Sequence, residues 1–269
     1  MASSKTIERP SLASFLDELQ SRGRYTFTRD EAAAGGWRSD ATFQAAVRRL
    51  KEKERVVTPR RGFHVLVPLE YRTAGAPPAS WFIDGLMSYL GQRYYVGLLS
   101  AAAIHGAAHQ QPMAFQVVTD RPTKPAHAGR VRIQFHMRRD FESAETKPVQ
   151  TETGTMRVAT PEMTAFDLVR FARAAGHWSN VATVLAELSE KLDPAALRSL
   201  AEHAGVSDVQ RLGYLLDFVD ARQRSAPLRS WLESQRLRPV RLQAERPKGR
   251  AQADASWRVI PNVRIEPDR

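Results

Sequence analysis

Two histidines stand four residues apart in the run His105-Gly-Ala-Ala-His109, a spacing at which one face of a helix could hold a metal ion. Gly106 between them weakens such a helix and no third ligand follows nearby, so a helix end carrying one half-buried His is the competing reading. Glu162 and Asp167 are a second candidate, an acid pair for proton transfer. Glu162 has a simpler role beside the N-terminus of a helix opened by Thr160-Pro161. Asp167 is flanked on the helical wheel by Met163, Phe166 and Phe171, so it is expected to be partly buried and to require a cation such as Arg170 or Arg211. Together His105, His109 and Asp167 would suit a metal-dependent nuclease. No Gly-rich phosphate loop, Gly-x-Gly-x-x-Gly, His-Glu-x-x-His or Gly-x-Ser-x-Gly accompanies them. The chain has no Cys, which excludes a disulfide scaffold, a thiolate nucleophile and a Cys-ligated zinc. The expectation is no enzyme activity, no cofactor and no metal.

The residues that do form a chemical set are basic and polar. Lys and Arg number 40 against 29 Asp and Glu, a net charge of +11, and the isoelectric point is about 10.4. Such a balance favours polyanionic partners, and the placement of the charges decides which. Between Arg38 and Arg61 eight Lys/Arg face only three acids, Asp40, Glu52 and Glu54. Arg38, Ser39, Thr42, Gln44, Arg48, Arg49, Lys53, Arg60 and Arg61 are the expected contacts to double-stranded DNA. Short polar side chains and Arg near a helix N-terminus suit base edges, and Arg at a turn suits phosphate or the minor groove. Taken alone, the charge run from Arg48 to Arg55 also fits a solvated helix face, and the same fold could serve as a protein-docking module.

Those residues need elements to hold them. Leu12, Phe15, Leu16 and Leu19 recur at helical spacing before Gly23, and Tyr25-Thr26-Phe27 alternates like a short strand. Thr28 with Glu31 makes a capping box for a short helix ended by Gly35-Gly36. Ser39 is the expected N-cap of the next helix. Its apolar face carries Phe43, Val47 and Leu50, opposite Ala41, Ala45, Arg48 and Glu52 and flanked by Thr42, Gln44 and Arg49. The period then changes to two strands around Arg60-Arg61-Gly62. Helix, strand, helix, turn, helix, hairpin is the order of a winged helix-turn-helix.

Residues 71–80 are small and Pro- and Gly-bearing, and read as a linker between a winged helix-turn-helix over 1–70 and a larger α+β domain over 81–269. In that second part helices are expected near 81–90 and 94–106, with Tyr94 and Tyr95 in the core. Strands are expected at 115–119 and 130–135, and 151–158, with Gly154 inside, reads as a hairpin or a bent strand. A helical half follows, near 161–174, 178–192, 194–204, 206–222 and 226–235, with short strands at 240–242 and 257–260 and a polar loop between them. The segment 236–269 holds nine Lys/Arg against four acids and fits either a second phosphate contact or a solvated surface. The overall class is α/β (α+β). No apolar run reaches the roughly 18 residues of a membrane helix, and the first residues lack a signal-peptide core, so a cytoplasmic location is expected.

The stretches beginning at Arg22 (RGRYTFTRDEA), Arg61 (RGFHVLVP), Tyr94 (YYVGLLSAAAIHGAAHQQP) and Thr160 (TPEMTAFDLV) resemble the AbiEi-like antitoxins of type IV toxin–antitoxin systems. The resemblance runs over nearly the whole chain, and Tyr94 to Pro112 is its most specific part. It implies an N-terminal winged helix that represses the antitoxin–toxin operon at repeated or inverted operator sequences. It also implies a C-terminal domain that counters a nucleotidyltransferase-like toxin, without requiring a stable toxin–antitoxin complex. The family's DNA-contacting surface falls here on residues 39–55 and on Arg60-Arg61. One such domain has a small footprint, so two copies on paired half-sites, with self-association on DNA, are expected.

Overall fold

The computed structural model describes residues 11–107 and 112–267 of this mixed α/β protein, which forms two compact units. The first comprises the chain up to Tyr94 together with Pro122–Phe135 and Val149–Met156. The remainder, Tyr95–Arg121, His136–Pro148 and everything from Arg157, makes the second.

The first unit starts with α1 (Leu12–Ser21), β1 (Thr26–Thr28), α2 (Arg29–Ala34), α3 (Asp40–Glu52), β2 (Val56–Arg60) and β3 (Phe63–Leu66). Each helix begins where an oxygen side chain can satisfy an orphan N–H. Ser11 caps α1, Thr28 and Glu31 close the expected capping box on α2, and Ser39 caps α3. The strands lie in the order β1-β3-β2, both pairs antiparallel, with Phe27 opposite His64. Leu12, Leu16, Leu19, Phe27, Ala32, Trp37, Phe43, Val47, Leu50, Val56 and Leu66 form one buried cluster, so the apolar faces expected on α1 and α3 meet each other and the sheet. Residues 71–80 lie within this unit. Ala76 and Ala79 are buried and Gly75 backs onto Gly129, so the stretch packs as part of the body. Helix α4 (Ile83–Leu90) follows.

The chain expected to be one helix over 94–106 is a strand, β4 (Tyr94–Val96), and a shorter helix, α5 (Leu98–Ile104). Aromatic and β-branched residues at 94–96 suit a buried strand, and Gly97 and Leu98 change the backbone direction, Leu98 at φ +50°. Gly97 fits a tight space: a Cβ there would lie 2.8 Å from Val118 and 3.2 Å from Asp167 Oδ2. Then come β5 (Phe115–Thr119), β6 (Ala126–Ala128), β7 (Val131–Met137), β8 (Thr146–Thr151) and β9 (Gly154–Ala159). With β4 they form a six-stranded sheet ordered β6-β7-β5-β4-β9-β8, in which β6 and β7 are antiparallel and β4 and β9 parallel. Sequence pattern missed β6, because its alternation of buried Ala126 and Ala128 about exposed His127 is only three residues long.

The expected helical half is present as α6 (Pro161–Arg170), α7 (His177–Leu188), α8 (Pro194–Ala201), α9 (Val206–Phe218) and α10 (Arg222–Glu233). Helix α10 begins four residues before the expected 226 and carries Pro227 inside it. Short parallel strands β10 (Val240–Arg241) and β11 (Val259–Ile260) flank an exposed polar loop. Among the described residues no helix is long and apolar enough to cross a membrane.

Candidate functional site

Helix α3 presents two unlike faces. Phe43, Ala46, Val47 and Leu50 are buried, while Thr42, Gln44, Arg48, Arg49, Lys51 and Glu52 are exposed. Ser39 Oγ accepts from the Thr42 amide at 3.4 Å and from the Thr42 hydroxyl at 3.2 Å, which fixes the first turn. Arg38 lies exposed just before that turn, and Lys53 caps the far end. Arg48 reaches Glu52 only at 3.9 Å, with both side chains largely in water, a contact worth little.

The start of α3 is also held from outside by Arg29, the first residue of α2. Its guanidinium donates to the carbonyls of Trp37 at 2.7 Å and Arg38 at 3.0 Å, and to Asp40 Oδ1 at 2.7 Å. It sits over the Phe43 ring, 4.8 Å from the centroid. Arg29 went unrecognised in the sequence because it follows an N-cap and belongs to no periodic pattern. Only the fold brings the turn at 37–40 back to it.

One of the expected basic contacts, Arg60, has other partners, and so does Arg55, which belongs to the charge run but not to the expected contacts. The Arg55 guanidinium is paired with Asp17 at 2.5 Å. Arg60 donates to the carbonyls of Lys124 and Pro125, the latter at 2.9 Å, and burial pulls its pKa below the ordinary arginine value. The Tyr89 hydroxyl donates to the Arg61 carbonyl at 2.8 Å and lies where a Cβ on Gly62 would have to go. Gly62 has φ +82°, so glycine answers both the turn and the close approach. The hairpin turn is thus anchored within its own unit, and Arg61 is the exposed cation at its tip.

The carboxylate chemistry in the second unit is structural. Asp167 is fully buried, and its partner is Arg138, 3.2 Å away and 4% exposed, where Arg170 or Arg211 was expected. Arg138 also pairs with Asp140 at 3.0 Å. Arg170 of α6 reaches Asp140 and Asp208 instead, and Arg211 pairs with Asp208 three residues before it on α9. Burial pushes the Asp167 carboxyl up to about 6, against the pull of Arg138 and the Tyr95 hydroxyl. Glu162 accepts from the Asp193 amide at 2.8 Å, tying the start of α6 to the start of α8. His105 Nε2 is hydrogen-bonded to the Ala159 carbonyl at 2.8 Å. His109 lies outside the described residues, and among those described no three His, Cys, Asp or Glu are grouped to hold a metal ion. Tyr94 and Tyr95 are both buried.

Residues 95–218 match the family model described as the AbiEi antitoxin C-terminal domain. The crystal structure of the RV2827C protein from Mycobacterium tuberculosis aligns with a TM-score of 0.65 over 93% of this chain and 91% of that one, at 16% sequence identity, a likeness of fold. No curated protein matches the sequence.

Proposed function

We propose, from the match of residues 95–218 to the AbiEi antitoxin C-terminal domain, that the whole chain is a DNA-binding repressor of its own operon and the antitoxin of a type IV pair whose toxin is nucleotidyltransferase-like. The observation that supports DNA contact most directly is α3. Its apolar face is locked into the core while a capped, exposed face of Thr42, Gln44, Arg48 and Arg49 points to solvent. In this reading the first six elements act as a winged helix, and α3 enters the major groove. Gln44 and Arg48 or Arg49 read bases, with Thr42 and Ser39 beside them. Arg38, Lys53 and Arg61 hold phosphates. Arg60 adds its charge, while both of its terminal nitrogens already donate to backbone carbonyls. Two copies on paired half-sites supply the footprint that a single domain lacks.

The test is binding of the purified protein to DNA from upstream of its own gene and to scrambled DNA, across a salt series. A selective complex that is lost in the Arg48→Ala/Arg49→Ala double variant supports the reading, each replacement costing about 1–3 kcal/mol. Equal and steeply salt-sensitive binding to both DNAs would refute it and leave only the counterion effect of a basic chain.

A further inference from the structure

Two acids of α3 are exposed, Glu52 in its last turn beside Arg48 and Asp40 in its first. Asp40 is the first residue of α3, and its side chain is 83% exposed. The turn behind it is fixed at several points, since Arg29 holds the Trp37 and Arg38 carbonyls and packs over Phe43. Both contacts from the guanidinium to Asp40, Nε at 2.7 Å and an Nη at 2.6 Å, fall on the same oxygen, Oδ1. Oδ2 takes no part in those two contacts, and the side chain as a whole is open to solvent in the first turn of the helix. A carboxylate presented to phosphates would normally repel them. Here a guanidinium, itself only 19% exposed, lies against it and offsets that charge. An acid placed merely to suit the helix dipole needs no such partner. In the major groove a carboxylate oxygen can only accept. Adenine N6 and cytosine N4 both donate there, but N6 lies beside the N7 acceptor, which a carboxylate cannot satisfy, whereas N4 is cytosine's sole major-groove polar group, so cytosine is the better match.

We propose that Asp40 is a specificity-determining residue, its Oδ2 accepting from the N4 amino group of one cytosine in the operator, and that Arg29 is the positioning residue that aims it. This rests on α3 being the DNA-reading helix. The corollary is that one base pair at the edge of each half-site is chosen by an acid, while the Arg side chains further along α3 choose their neighbours.

The experiment measures affinity of the full chain for its upstream DNA and for the complete set of single base-pair substitutions of it, with wild type, Asp40→Ala, Asp40→Asn, Arg29→Lys and Arg48→Ala/Arg49→Ala. Wild type should lose about 5- to 150-fold when one particular C·G pair is replaced. Asp40→Ala should become indifferent at that pair alone, and Asp40→Asn should move its preference there toward adenine, which offers a donor and an acceptor together. Arg29→Lys should blur the same position while leaving affinity for scrambled DNA unchanged. If Asp40→Ala instead rescales affinity for every sequence by one factor, Asp40 is a plain helix-end charge and the proposal is overturned, although loss of binding in the double Arg variant would leave the α3 reading standing. If the double Arg variant binds as wild type does, the α3 reading has failed and this assignment falls with it.

Discussion

His64 faces into the first unit, stacked on Phe27 at 4.9 Å and edge-on to Phe43 at 5.6 Å, with Nδ1 2.9 Å from the Thr58 hydroxyl. Burial, helped by the nearby positive charge of Lys51, drops its pKa from 6.5 to about 4. The unfolded chain therefore takes up a proton near pH 6.5 that the folded chain refuses until about 4. In that window the unfolded state binds more protons, so stability falls as the pH is lowered through it, by up to about 3 kcal/mol. Urea unfolding at pH 7 and pH 4.5 should show the loss, and His64→Gln should flatten it. Asp167 makes the complementary case, because a buried carboxylate without a cation is far costlier than the pair. Arg138→Met should destabilise the second unit by about 3–5 kcal/mol, read from the urea midpoint, whereas a surface pair such as Arg48–Glu52 can be removed with less than about 1 kcal/mol lost.

Elements set the limits on what such side chains can do, and α9 is a clear instance. Gly213 looks like a weak point in a helix, yet a Cβ there would run into the Trp257 ring. That indole in turn donates from Nε1 to Asp217 Oδ2 at 2.8 Å and lies under the Arg229 guanidinium. Gly213→Ala should therefore lower the melting temperature through a cost of about 1–3 kcal/mol from overpacking, despite alanine's better helix propensity. The same contrast between local pattern and tertiary demand separates what was legible in the sequence from what was not. The caps Thr28 and Ser39, the two faces of α3 and the hairpin after it depend on neighbours within a few residues, and all were readable. The partners of Asp167 and Arg60 lie tens of residues away, and the clamp by Arg29 reaches across a turn that no periodic pattern spans, so nothing local encodes them. The strand at Tyr94–Val96, by contrast, is three residues whose β-forming types are masked by the Ala-rich helix that follows. Arg60→Ala illustrates the consequence. It should loosen the hairpin, seen as faster amide exchange at β2 and β3, more than it changes the salt dependence of DNA binding.

For the whole molecule the net charge of +11 sets a long-range field, but only contacted phosphates enter the salt dependence of binding. Replacing Arg38 and Lys53 with Gln should weaken operator and scrambled DNA alike, and should shrink the slope of log K against log[salt] by about 1 per residue. Titrations at several salt concentrations check this, and an unchanged slope would remove those two side chains from the interface.

The first unit is discontinuous along the chain, since it needs Pro122–Phe135 and Val149–Met156 to be complete. On a translating ribosome its earliest helices emerge long before those segments exist. At about 5–20 residues per second, several seconds separate the appearance of Tyr94 from that of Met156. During that interval Arg60 has no Lys124 or Pro125 carbonyl to bind, and β2 has no β6 beside it. The nascent protein can assemble the α1–α3 cluster around Phe43 early, but its hairpin is secured only after the intervening polypeptide has been made. Under the proposed function the DNA-facing surface is finished late in synthesis, so fragments released prematurely from the ribosome are expected to be poor competitors for the operator.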